Sequence, residues 1–141
     1  MKRLKAFKSC FRCAAYLLVV TTSFPIKAGA YDDFFRAIEQ DNGAAITELL
    51  QRGMDPNSRS PDGQVALYLA LRGPSPKATE ALWAHPALDL NARNVAGETP
   101  LMMAALRGEL EWARKLIERG AAVQQTGWSA VHYAATGPEP K

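Results

Sequence analysis

GETPLMMAALRGELEWARKLIERGAAV, residues 97–123, is the stretch whose reading decides the fold. Thr99 ahead of Pro100 marks a helix start: the hydroxyl can accept a first-turn amide, and proline at the first helical position gives up a donor that has no partner there. Ala104 and Ala105 keep this helix narrow, so a neighbouring helix can approach closely. Gly97 can take the left-handed backbone of a turn before it. Leu110, Ala113, Leu116 and Ile117 then recur at i, i+3, i+6 and i+7, which predicts one apolar stripe on a second helix over about Leu110–Arg119. Gly120 terminates that helix from the position just past its end. The segment therefore reads as a turn and two short helices, with one apolar face that it cannot bury alone.

Fainter copies flank it in phase. The glycines of PDGQVALYLAL, VAGETPLMMAA and QTGWSAVHYAA are Gly63, Gly97 and Gly127, spaced 34 and 30 residues apart. A second ruler, the end of each unit, falls at Asn57, Asn91 and Gln124, with steps of 34 and 33. The copies are uneven. Val65-Ala66 stands where Thr-Pro would be, and the lost cap costs about 1 kcal/mol. The turn RGPSP (Arg72–Pro76) is long, and the helix after it, about Lys77–Ala84, ends at His85-Pro86. Three residues join Gln124 to Gly127 where six join the earlier pairs, so the third turn must be blunt.

The motif G-x-T-P-L-x-x-A-A-x-x-G, continued by Leu116 and Gly120-Ala121, resembles an ankyrin repeat, with Met102 in place of the usual histidine. The resemblance extends over about Tyr31–Gly137. It implies an all-α ankyrin-repeat solenoid of helix–turn–helix units with short β-hairpin fingers. The expected organisation is a leader over 1–30, an N-terminal helical half-cap over 31–57, a degenerate repeat over 58–91, a full repeat over 92–124 and a partial repeat over 125–141. In the last unit an inner helix, about Ala130–Thr136, has no outer helix after it, leaving Val131 and Tyr133 without a following repeat. A truncation of a longer array is the expectation drawn from this. The resemblance also implies a protein partner, held on the concave face and fingers. By alignment the candidate binding residues are Arg59, Asp62 and Gln64 on the first finger, Arg93, Val95 and Glu98 on the second, Leu106 and Arg107 at the end of an inner helix, and Trp128.

Composition changes meaning once charges are located. Met1–Arg12 carries five cations and no acid, Cys13–Phe24 is an uncharged run of 12 residues, and Ala28-Gly29-Ala30 is an A-x-A site. Together they read as a secretory signal peptide cleaved after Ala30, too short in its apolar part for the roughly 20 residues of a membrane span. Cleavage removes six of 17 cations and none of the 14 acids, so the mature charge is −3 and the basic pI belongs to the leader. The expected location is periplasmic or secreted, with no membrane contact after cleavage. The remaining cations are scattered, which argues against nucleic acid. Both cysteines also leave, so no disulfide partner and no thiolate nucleophile remain.

Other chemistry is thin. Two histidines, His85 and His132, lack zinc-ligand spacing; His132 reads as bonded to the turn of a neighbouring repeat. Asp32 and Asp33 suit the first turn of a helix, and Ser129 occupies the capping position. The glycines follow the repeat and form no phosphate loop. Trp83 reads as core and Trp112 as packed between outer helices. Trp128 is either a partner anchor or packed on the neighbouring finger. No catalytic set, cofactor site or metal site is expected. The leading reading is a non-catalytic protein-interaction module; the alternatives are an accessory or inhibitory subunit of an exported enzyme, and a poorly folding fragment.

Overall fold

The computed structural model describes residues 28–138. The predicted leader lies outside these residues apart from Ala28–Ala30, which open the first helix. Seven helices follow among the described residues: α1 (Ala28–Glu39), α2 (Gly43–Gln51), α3 (Ala66–Arg72), α4 (Pro76–Trp83), α5 (Pro100–Arg107), α6 (Leu110–Glu118) and α7 (Ala130–Thr136). Helices α1, α3, α5 and α7 pack in sequence as an inner column, and α2, α4 and α6 each lie on the inner helix of their own unit. The fold is an all-α stack of the expected kind.

One core runs through the stack. Phe34, Ile38, Ile46, Leu67, Leu82, Leu101 and Leu116 are almost wholly buried. Each such side chain contributes about 1.5–3 kcal/mol by leaving water. Small residues set the spacing: a side chain at Gly43 would strike the backbone carbonyl of Lys77, so only glycine lets the start of α2 meet the start of α4.

Polar groups lock the register. Asn57 donates from Nδ2 to the carbonyl of Ala87 at 2.9 Å and accepts the Asp89 amide at 2.7 Å. Asn91, one repeat later, accepts the Ala122 amide at 2.8 Å. The asparagine ruler is thus a set of clasps, each holding the next loop. Asp41 reaches forward in the same way, accepting the Ala78 amide in the first turn of α4 at 2.8 Å. Arg119 closes the other end of α4, donating to the carbonyls of Trp83 at 2.7 Å and His85 at 3.3 Å. A cation there also suits the helix dipole.

The caps follow the sequence. Thr99 Oγ1 accepts the Met102 amide at 3.4 Å, whereas Val65 makes no side-chain cap for α3. Thr99→Ala should lower stability by about 1 kcal/mol and the midpoint of a thermal melt by about 5 °C. A melt unchanged within a degree would mean that packing alone starts α5.

Several expectations need correction. The fingers contain no strand among the described residues. The first has one isolated bridge, Arg59 to Val65, with the Ser60 amide on the Gln64 carbonyl at 2.8 Å. In the second, the Asn94 amide donates to the Glu98 carbonyl at 3.0 Å. Legs this short close a turn but cannot extend a ladder. Asp32 and Asp33 fall in the second turn of α1 because the helix begins at Ala28, and Asp33 instead pairs with Arg36 at 3.2 Å. His132 bonds within its own unit, Nδ1 lying 2.8 Å from Ser129 Oγ. Trp83 is half-buried; its neighbour Leu82 takes the core position. Trp83 meets Trp112 edge to face at 5.7 Å between α4 and α6. Val131 is 63% exposed, as expected of an uncovered face, but Tyr133 turns back into the stack.

Candidate interaction surface

Glu98 sits at the base of the second finger, and three donors converge on its carboxylate. Tyr68 of α3 donates its hydroxyl to Oε2 at 2.6 Å, and Tyr133 of α7 donates to Oε1 at 2.8 Å. Asn94 Nδ2 lies 2.8 Å from Oε2 and 2.9 Å from Gln64 Oε1, tying the second finger to the first. One acidic side chain therefore holds parts of three successive units. Burial alone would raise its pKa. The hydrogen bonds from Tyr68, Asn94 and Tyr133, with the nearby Arg72 charge, outweigh that, and the carboxyl is held below its ordinary value. The partners respond in the opposite sense. Burial and then the bond to Glu98 raise Tyr68 far above its ordinary value. Tyr133 is raised chiefly by its bond to Glu98.

The sequence-derived candidates divide accordingly. Glu98 and Gln64 are engaged internally, so their polar atoms are partly occupied. Arg59, Asp62, Arg93 and Val95 stand exposed on the fingers, Val95 at 74%. Val95 also lies over Gly63 of the preceding finger, where any side chain would collide with it. Gly63 further adopts φ +74, so both its backbone and its lack of a side chain are used. Leu106 and Arg107 are half-buried at the end of α5. Trp128 is 63% exposed. It packs on its own helix, its ring 5.5 Å from that of His132 and 6.0 Å from that of Tyr133.

Sequence reading did not single out Tyr68 or Asn94, and it took Tyr133 only as part of an uncovered face. Tyr68 stands five residues after Gly63, at the position held by Met102 after Gly97 and by His132 after Gly127, so a polar-tipped inner-helix position was the available signal. Among the described residues no group of three or more His, Cys, Asp or Glu side chains could hold a metal ion. No helix among them is long and apolar enough to cross a membrane.

Residues 34–126 and 86–139 match the family described as ankyrin repeats (3 copies). The chain belongs to the ankyrin repeat family. Two ankyrin-containing relatives are similar to it: poly [ADP-ribose] polymerase tankyrase of Caenorhabditis elegans, 39% identical over 71 residues, 48% of this chain, and transient receptor potential cation channel subfamily A member 1 of Homo sapiens, 27% identical over 85 residues, 60% of this chain. The chain spans 3% of the first protein's length and 8% of the second's. The shared part is the ankyrin array, a non-catalytic module that implies a protein partner.

Proposed function

We propose that this chain is an exported interaction module that binds a protein partner through its fingers and inner-helix ends, without catalysis of its own. The observation that carries the reading is the contrast on that face. Arg93, Val95 and Trp128 are exposed there on a frame pinned by the Glu98 network and the asparagine clasps. A preformed surface loses little entropy on association, and exposed Trp and Arg are the residue types that anchor interfaces. The leader pattern of Met1–Ala30 supports export, with binding in the periplasm or outside the cell.

The test is cross-linking in cells followed by mass spectrometry, comparing the native chain with a Trp128→Ala, Arg107→Ala double variant. Two interface anchors should together change affinity at least tenfold, so the dominant cross-linked protein should fade in the variant while expression holds. Equal capture by both chains would place the interface elsewhere. Recovery of the tagged chain only from the cytoplasm would remove the exported half of the proposal.

A further inference from the structure

We propose that the cleft between the ends of α1 and α3 binds a small zwitterion of the α-amino-acid class with an apolar side chain. The proposal does not rest on the protein-binding reading, and either can fail without the other.

The starting observation is a displaced cap. Ser75 precedes Pro76 at the start of α4, where a serine hydroxyl usually accepts a first-turn amide. Here it makes no such bond. The Ala78 amide goes instead to Asp41 Oδ1 at 2.8 Å. Asp41 reaches it from the turn between α1 and α2, where it holds a left-handed backbone with φ 53, a conformation that residues other than glycine adopt only when something holds them there.

The exchange leaves the Ser75 hydroxyl free. Ser75 is 6% exposed, and its Oγ has no hydrogen-bond partner among the described residues. No fully buried side-chain oxygen or nitrogen among them lacks a partner, so this Oγ must reach open space. The space beside it is a cavity of about 360 Å³, which Ser75 lines. An enclosed hydroxyl that the protein leaves unpaired is a group for a ligand to satisfy.

The rest of the lining carries both signs of charge. Arg72 ends α3, Glu39 ends α1, and both line the cavity together with Asp41. The ion pairs among the described residues are Arg36–Asp33, Arg52–Glu48 and Lys115–Glu80, so Arg72 is paired with neither acid. Opposite charges that share a cleft without meeting suit a molecule that carries both. A guanidinium holds a carboxylate through parallel N–H donors, and the Ser75 hydroxyl adds another. An ammonium has three donors, for which Glu39 and the remaining lone pairs of Asp41 are the acceptors. A plain anion would leave Glu39 facing it, and a plain cation would leave Arg72 facing it, so the cleft selects against both. Ile38, Leu69 and Pro74 complete the apolar part of the lining, which fits an aliphatic side chain. The volume lies near the lower end of the roughly 300–1,000 Å³ of small-molecule sites, the size for one amino acid rather than a longer peptide.

Isothermal titration calorimetry on the full chain tests this with L-leucine as the probe. Its comparisons are isopentylamine, which lacks the carboxylate, isocaproate, which lacks the ammonium, and glycine, which lacks the side chain. Leucine should bind, and should raise the melting midpoint by mass action. Each comparison compound should bind about tenfold more weakly or worse, since each leaves a charge or the apolar lining unmatched. Arg72→Gln and Glu39→Gln should each weaken leucine about tenfold. Ser75→Ala should weaken it several-fold with the ligand-free melt unchanged, because Asp41 and not Ser75 caps α4. Absence of leucine binding at millimolar concentration would overturn the proposal. So would equal binding of isocaproate or isopentylamine, or leucine affinity unaltered by Ser75→Ala and Glu39→Gln. A Ser75→Ala chain that melts earlier yet binds leucine as before would assign the hydroxyl to the fold and remove the site.

Discussion

Glu98→Gln should destabilise the array by about 2 kcal/mol at neutral pH, the scale of one strong hydrogen bond to a charged group. The glutamine amide keeps one acceptor oxygen, but its NH2 then faces a donor. Tyr68, Tyr133 and Asn94 cannot all be satisfied. The effect has a pH signature. The folded pKa of Glu98 is depressed, so its stabilisation is fully present above the unfolded carboxylate value, about 4.3, and is lost as pH falls through the folded value. The gap between native and variant melts should therefore be constant from pH 7 to about 5 and close towards pH 3. The tyrosines act at the other end. Their folded pKa values are raised, so their contribution is complete below about pH 10 and is lost as pH rises through the folded values. A gap equally wide at pH 3 and pH 7 would mean that the Glu98 charge does not hold the network.

Leu116→Ala should be larger still, about 3 kcal/mol, within the range for a leucine deleted from a core. The reason lies in how α6 is held. Leu116 is its one buried residue. Leu110 and Ile117, on the same predicted stripe, are 50% and 47% exposed. The substitution therefore removes the main anchor of the helix and not merely one contact among many. Ile117→Ala is the control and should change stability by well under 1 kcal/mol, since surface substitutions usually do. Chemical denaturation of both variants checks the pair. Equal losses would show that the stripe works as a unit and that Ile117 is covered in solution. The difference should also appear in amide exchange, with α6 opening early in the Leu116 variant.

The unequal legibility of the chain has physical causes. Residues 97–123 could be read because each local device agrees there: cap, proline, small residues, stripe and terminating glycine. The lack of a cap at Val65 was equally visible, since a hydroxyl is either there or not. What stayed hidden depends on partners about thirty residues away. Asn57 and Asn91 stood out as a ruler, but their bonds to Ala87, Asp89 and Ala122 belong to the stacked form. Glu98 was placed correctly on its finger, yet its neighbours Tyr68 and Tyr133 come from helices 30 residues before it and 35 after. The stripe of α6 was read as one apolar face. Periodicity shows which residues share a face, but coverage of that face comes from the neighbours, and they cover Leu116 while leaving Leu110 and Ile117 half open.

The outer helices are joined in two different ways along the stack: α2 packs directly on α4, where Gly43 meets Lys77. Inner helices meet one another directly along the whole length of the stack. Between the outer helices α4 and α6, the link is made by long side chains: Lys115 to Glu80 at 3.3 Å, Trp83 against Trp112, and Arg119 over Trp83 at 4.5 Å while it holds the α4 carbonyls. Such chains can lengthen or shorten by changing rotamer at little energetic penalty, whereas packed alanines cannot. Compliance on the outer edge is therefore local to the step between α4 and α6, while the inner edge and the α2–α4 step are held by direct packing. Opening that one step would swing α6 outward while the direct packing of α3 on α5 stays in place.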